Sequence, residues 1–171
     1  MKTKLLLPLF IISFLSFAQN PINSFYGADN STFDIVSSTN PLDHAATGAN
    51  QTWNFTNLTS IGNSIRNYES PTSSELTTYP GTTLVIVNNS SVGSTNNIGY
   101  MYTKNTANTI SITGISADDL IVNFATNNAT LGLFPMNFGY SNSDTVAGNY
   151  TYKTYWGTFI GTLEKTVVLY G

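Results

Sequence analysis

His44 is the one imidazole of the chain, and it stands beside an acid in Asn40-Pro41-Leu42-Asp43-His44-Ala45-Ala46-Thr47-Gly48. The Pro, Asp and Gly around it read as a loop. Asp43, His44 and a serine are the residue types of nucleophilic catalysis. Triad members, however, converge from separate segments, and no G-x-S-x-G nucleophile turn occurs in the sequence. One His and no Cys supply too few nitrogen and sulfur donors for an ordinary zinc centre. Glycoside hydrolysis needs two carboxyl groups facing one another across roughly 5–9.5 Å. Asp118 and Asp119 are adjacent, so on a strand they would point to opposite faces, and after Gly114-Ile115-Ser116-Ala117 they read as a solvated turn before Leu120. Asp29 and Asp34, in Asp29-Asn30-Ser31-Thr32-Phe33-Asp34, bring oxygen ligands close enough together for Ca²⁺. The segment lacks the sixth-position Gly and the distal bidentate Glu of an EF-hand, so it reads as an Asx turn. No catalytic, cofactor-binding or metal-ligating residue is assigned from this set, and no cofactor is expected.

Aromatic side chains offer a different chemistry. Tyr150, Tyr152 and Trp156, with Tyr155 between them and Tyr100 and Tyr102 elsewhere, could form a flat surface on which sugar rings stack. The competing reading is that alternating aromatics fill a core and fix strand register through cross-strand pairs. Burial of Trp156 separates the two.

The elements that must position these residues are strands. Runs rich in Val, Ile, Thr, Tyr and Phe recur between clusters of Asn, Gly, Ser and Pro, at residues 33–36, 52–58, 65–68, 84–88, 99–104, 109–113, 120–124, 149–156 and 158–170. Alternation is clearest for Trp53 and Phe55, and for Tyr150, Tyr152 and Trp156 against Thr151 and Lys153. Leu84-Val85-Ile86-Val87 and Leu120-Ile121-Val122 are unbroken apolar runs, as expected of core strands. One segment has helical chemistry. Thr72-Ser73-Ser74-Glu75 is a capping box, and Pro80-Gly81 stops the helix, so at most one short helix is expected at 73–79, with Leu76 and Tyr79 turned to the sheet. Gly157-Thr158-Phe159 and Gly161-Thr162-Leu163 echo each other too briefly to be a structural repeat, and their glycines read as strand bulges or twist. Short strands without intervening helices exclude βαβ units and leave a sandwich or an open barrel, of which an all-β antiparallel β-sandwich is expected.

Lys2 and Lys4 precede an apolar run over residues 5–17, and Ser16-Phe17-Ala18 places small residues at the −3 and −1 positions of a cut. This is the pattern of a secretory signal peptide over residues 1–18. As a helix it would reach only ~20 Å against a ~30 Å hydrocarbon core. Residues 19–171 then form a single domain, stabilised without disulfides. The chain is 41% hydrophobic and only 9% charged, too apolar for a disordered tract and too poor in charge for a coiled coil. Its net charge of −3, which becomes −5 without Lys2 and Lys4, excludes a nucleic-acid partner. No integral membrane span is expected in the mature chain.

Gly48-Ala49-Asn50-Gln51-Thr52-Trp53-Asn54-Phe55-Thr56-Asn57-Leu58 resembles the G-x-N-Q-T-W-[DN]-F-[ST]-x-L segment of secreted Bacteroidota proteins that carry a C-terminal type IX secretion sorting domain. Phe17-Ala18-Gln19-Asn20-Pro21, Glu75-Leu76-Thr77-Thr78-Tyr79-Pro80-Gly81 and Phe134-Pro135-Met136-Asn137-Phe138-Gly139-Tyr140 are similar to that group too. The resemblance implies a secreted or outer-surface location and supplies no catalytic residues. The sorting domain is missing from these 171 residues, which implies the front part of a longer protein. Asp144-Thr145-Val146 resembles the acceptor at which Bacteroidota attach O-linked glycans, making Thr145 a candidate modification site. The expected function is a non-enzymatic adhesion or structural module. The alternatives are a carbohydrate-binding module or part of an extracellular hydrolase, and the expected partners are a surface polysaccharide or another surface protein.

Overall fold

The computed structural model describes residues 20–39, 57–137 and 139–170. Its elements in chain order are β1 (Ser31–Ser38), β2 (Leu58–Glu69), α1 (Ser73–Thr78), β3 (Leu84–Val92), β4 (Thr95–Thr106), β5 (Thr109–Ala117), β6 (Leu120–Asn127), β7 (Ala129–Leu133), β8 (Ser141–Thr154) and β9 (Gly157–Tyr170). The fold is all-β and antiparallel, with one short helix among the described residues. Its strands hydrogen-bond as one open sheet in the order β1-β2-β3-β4-β5-β6-β8-β9, with β7 paired to β5. The layering therefore differs from the two separately bonded sheets of a simple sandwich. From β2 to β6 each strand pairs with its successor, joined by tight turns or by the α1 segment, so no connection carries the chain to a second sheet. Tight turns set this pattern. Ala107 and Asn108 both take positive φ in the two-residue β4–β5 turn, and Gly93 and Asp118 do so in the next turns on either side. Asp118 and Asp119 are the turn residues expected of them, and β7 is a strand the sequence reading did not anticipate.

The sheet forks at Thr113. One half of β5 pairs with β7 through Thr109↔Leu133 and Ile112↔Ala129, and the other half pairs with β6 through Gly114↔Asn123 and Ala117↔Leu120. A bulge against β4 falls at the same point. There the fully buried Thr113 donates to the Tyr102 carbonyl at 3.1 Å and shares a 2.7 Å hydrogen bond with Thr82. β7 is tied to β8 by side chains. Asp144 accepts from the Thr130 N–H at 2.7 Å, and the Asn142 amide donates to the Thr130 carbonyl at 2.9 Å. Two polar side chains thus satisfy backbone groups that a strand ladder would otherwise have paired.

Apolar packing is divided between the two faces. On one, Tyr79, Val85, Val87 and Tyr102 form a buried cluster flanked by Tyr100 and Ile121. On the other, Val122, Phe124 and Val146 are buried under Ile112, Ile115, Tyr150 and Leu163. Burying each such side chain is worth roughly 1.5–3 kcal/mol. The segment before β1 covers part of the second face. Ile22 and Met136 exchange two 2.9 Å backbone hydrogen bonds, and Tyr26 reaches Thr103 at 3.1 Å. Val85, Ile86 and Val87 of the run from Leu84 lie in the core as expected, but Leu120 is exposed because it opens its strand beside a turn.

α1 carries the expected capping box: Glu75 N–H donates to the Thr72 hydroxyl, and Thr72 N–H donates to the Glu75 carboxylate at 2.7 Å. That backbone hydrogen bond is the main cause holding the Glu75 carboxyl below its usual range. The expectation for the buried pair is half right. Tyr79 is buried, but Leu76 is 41% exposed, because the helix ends at Thr78 and Tyr79 leaves it in a non-helical conformation that turns its ring down onto the sheet. No helix among the described residues is long and apolar enough to cross a membrane. Residues 1–18, the expected strand at 52–56, and Asp43 and His44 lie outside the described residues.

Candidate functional site

β8 and β9 pair over their whole lengths, from Ser141↔Tyr170 to Thr154↔Gly157. They are joined by only two residues, Tyr155 and Trp156. Gly157 has φ 143°, a conformation that L side chains rarely adopt. The Thr154 hydroxyl closes the turn, accepting from Trp156 N–H at 3.2 Å and donating to the Gly157 carbonyl at 3.1 Å. Held this way, Tyr155 is 94% exposed and Trp156 87% exposed, with ring centroids 5.2 Å apart and planes at 89°.

The exposed apolar surface continues down both faces of the hairpin. Tyr152 pairs with Phe159, and Leu120 pairs with Tyr152 from the other side, so the three form an exposed row across β6, β8 and β9 on one face. Phe159 is 55% exposed. Ile160, one residue on and therefore on the opposite face, is 77% exposed. Lys153 and Thr158 are cross-strand partners between these rungs and the turn. The Lys153 N–H donates to the Asp119 carbonyl at 2.9 Å, tying the turn end of the hairpin to the acidic β5–β6 turn.

The three aromatics singled out from the sequence do not share one stacking surface. Tyr150 packs against the Val122–Phe124–Val146 cluster. Its ring also lies over its cross-strand partner Gly161, where a Cβ would come within 2.6 Å of Cε1. Tyr152 is partly exposed on the same strand face, and Trp156 lies in the turn rather than on the strand. Tyr155, Phe159 and Ile160 complete the exposed surface. The sequence signal for their place is Gly157, whose positive φ closes a two-residue turn at Tyr155 and Trp156 and so sets Tyr152 opposite Phe159.

Thr145 is exposed, and it sits within β8 opposite Thr166. Its carbonyl accepts from the Asn127 amide, and the carboxylate of Asp144 is engaged with Thr130. Asp29 is also engaged, accepting from the Tyr68 N–H at 2.9 Å and from the Asn30 amide at 3.1 Å. Asp34 lies in β1 opposite Asn63. Among the described residues no three His, Cys, Asp or Glu side chains converge as metal ligands. A shallow strip on the sheet face, with Ile65 and Ile98 between Asn63, Asn89 and Asn96, is another exposed apolar area, and its apolar side chains are separated by amides. The chain matches no family model, and neither a curated protein nor a solved structure is significantly similar to it.

Proposed function

We propose that this chain is a secreted or surface-displayed, non-enzymatic module that adheres through the β8–β9 hairpin end. One observation carries the reading: two large aromatics, Tyr155 and Trp156, are almost fully solvated at a two-residue turn, backed by exposed Tyr152, Phe159 and Ile160. Leaving that much contiguous apolar surface in water is unfavourable, and such patches mark interaction sites. Trp and Tyr are also the side chains that most often dominate binding energy. The export signal and the type IX resemblance support an outer-surface location, where such a module would meet a partner.

A carbohydrate-binding reading rests on the same two rings, since each presents a face to solvent and a pyranose could stack on either. It is the second reading, because Phe159, Ile160 and Leu120 offer a sugar no hydrogen bond. Thr145 is the position at which an exported protein of this kind would carry an O-linked sugar, tested by intact mass before and after Thr145→Ala. For the main proposal, the domain and its Tyr155→Ser/Trp156→Ser variant are compared for binding to immobilised glycans, surface proteins and lipid films. Binding that the double substitution abolishes supports the proposal. Absence of binding, or binding indifferent to the substitution, overturns it.

A further inference from the structure

We infer that the hollow between the segment before β1 and the β4–β5 turn is a binding site for one neutral sugar ring. It lies at the opposite end of β5 from the β8–β9 hairpin, so it goes beyond the adhesive role proposed above and does not depend on it. Three stretches far apart in sequence build it: residues 23–26, the β4–β5 turn with the start of β5, and Phe134-Pro135. Hydrogen bonds fix each of them. Ile22 and Met136 bond each other twice at 2.9 Å, the Phe134 N–H donates to the Asn108 carbonyl at 3.0 Å, and the Tyr26 hydroxyl meets that of Thr103 at 3.1 Å. The hollow is thus formed without a ligand, which spares binding the cost of ordering its walls.

Size and lining select the ligand. The volume is about 140 Å³, and a protein cavity of about 150 Å³ holds benzene, so one six-membered ring fills it. Its floor is apolar: Ile110 and Phe134 are buried, and Phe25 is half-buried beside Phe134 with ring centroids 6.3 Å apart. Its rim is amide, with Asn23, Asn105 and Asn108 exposed around the mouth. The Asn105 side-chain oxygen accepts from the Asn108 N–H at 3.1 Å, so its NH₂ group is the part left to meet a ligand. A pyranose combines an apolar C–H face with a rim of hydroxyls, which amides can meet as donors and as acceptors. A phenyl ring would fill the same floor but offer the three amides nothing. No charged residue lines the hollow, so a sugar acid would lose solvation there without gaining a counter-charge.

A single ring binds weakly, with a dissociation constant on the order of 1 mM. It is therefore measured in solution, which keeps it distinct from retention on a washed glycan surface. The probes are the methyl glycosides of glucose, galactose and N-acetylglucosamine, read by saturation-transfer NMR, and at least one should bind. Asn105→Asp keeps the acceptor for the Asn108 N–H and removes the NH₂ group, and Asn108→Gly keeps the positive φ and removes the amide. Together they should weaken binding about tenfold or more. Asn23→Ala, on the opposite wall and outside every strand, should weaken it severalfold in a chain whose fold is untouched. Glucuronate should bind about tenfold more weakly than the best neutral glycoside. Tyr155→Ser/Trp156→Ser should bind the probes as the wild type does. Failure of all three glycosides, binding that survives the Asn substitutions, or glucuronate binding as well as they do overturns the assignment. Binding lost in the hairpin variant places the sugar at that end instead, and overturns it while leaving the adhesive role standing.

Discussion

The rings of Tyr79 and Tyr102 are stacked with centroids 3.9 Å apart and planes 17° from parallel. This contact fastens the end of α1 to the sheet, and it depends on a third residue. A Cβ on Gly114 would fall 2.2 Å from Tyr79 Cδ1 and 2.9 Å from the Val122 carbonyl oxygen. Gly114 thus provides the space in which the Tyr79 ring lies, next to the point where the sheet forks.

Gly114→Ala should therefore destabilise the protein by about 1–3 kcal/mol, the usual cost of overpacking a buried site. Urea unfolding measures it. Gly99→Ala is the matched control, because its Cβ would make an ordinary 3.7 Å contact with Ala117. A Gly114→Ala midpoint equal to that of the control would refute the packing account.

The same contact sets an alkaline limit. Burial first, then the neighbouring Tyr79 and Glu75, pushes the Tyr102 phenol well above its ordinary value of 10.0, and burial raises Tyr79 as well. The folded chain holds these protons where the unfolded chain releases them near pH 10. This contribution to stability is whole below pH 10 and is lost as pH rises beyond it. Tyrosinate absorbance should show a fraction of the tyrosines ionising only as circular dichroism reports unfolding. Ionisation of every tyrosine in a chain that keeps its β spectrum would contradict this.

Asn142 and Asp144 hold the edge of β7 that faces β8, the edge opposite its ladder with β5. Asp144→Ala leaves the Thr130 N–H without its acceptor and should cost about 1–3 kcal/mol. Amide exchange should speed up in β7 more than in β3. Unchanged exchange at Thr130 would show that another group takes over the donor.

Much of this was legible in local chemistry. The capping box at Thr72 and Glu75, the Asp118-Asp119 turn and the buried Val85–Val87 run each depend on residues adjacent in sequence, so one segment suffices to read them. β7 was not legible, because Ala129-Thr130-Leu131-Gly132 has little β-branched or aromatic content, and its position is set by Asn142 and Asp144 from elsewhere in the chain. The single open sheet escaped for a similar reason: alternation reports which face is buried, not which strand lies beside which. At the candidate site, Trp156 was singled out, yet it was read as continuing a strand. The two-residue turn moves it to the end of the hairpin, away from Tyr150, and only the Tyr152↔Phe159 register brings Phe159 and Ile160 into the same surface.

The central claim, that the hairpin end is the adhesive element, is tested most directly by the Tyr155→Ser/Trp156→Ser variant. Both side chains are solvated, so stability should stay within about 0.5 kcal/mol of the wild type, and any change in binding reports the surface itself. Side-by-side partition onto phosphatidylcholine vesicles, glycan arrays and immobilised surface proteins is predicted to show wild-type binding that the variant loses while its melting curve is unchanged. Equal binding by the two proteins would contradict the account.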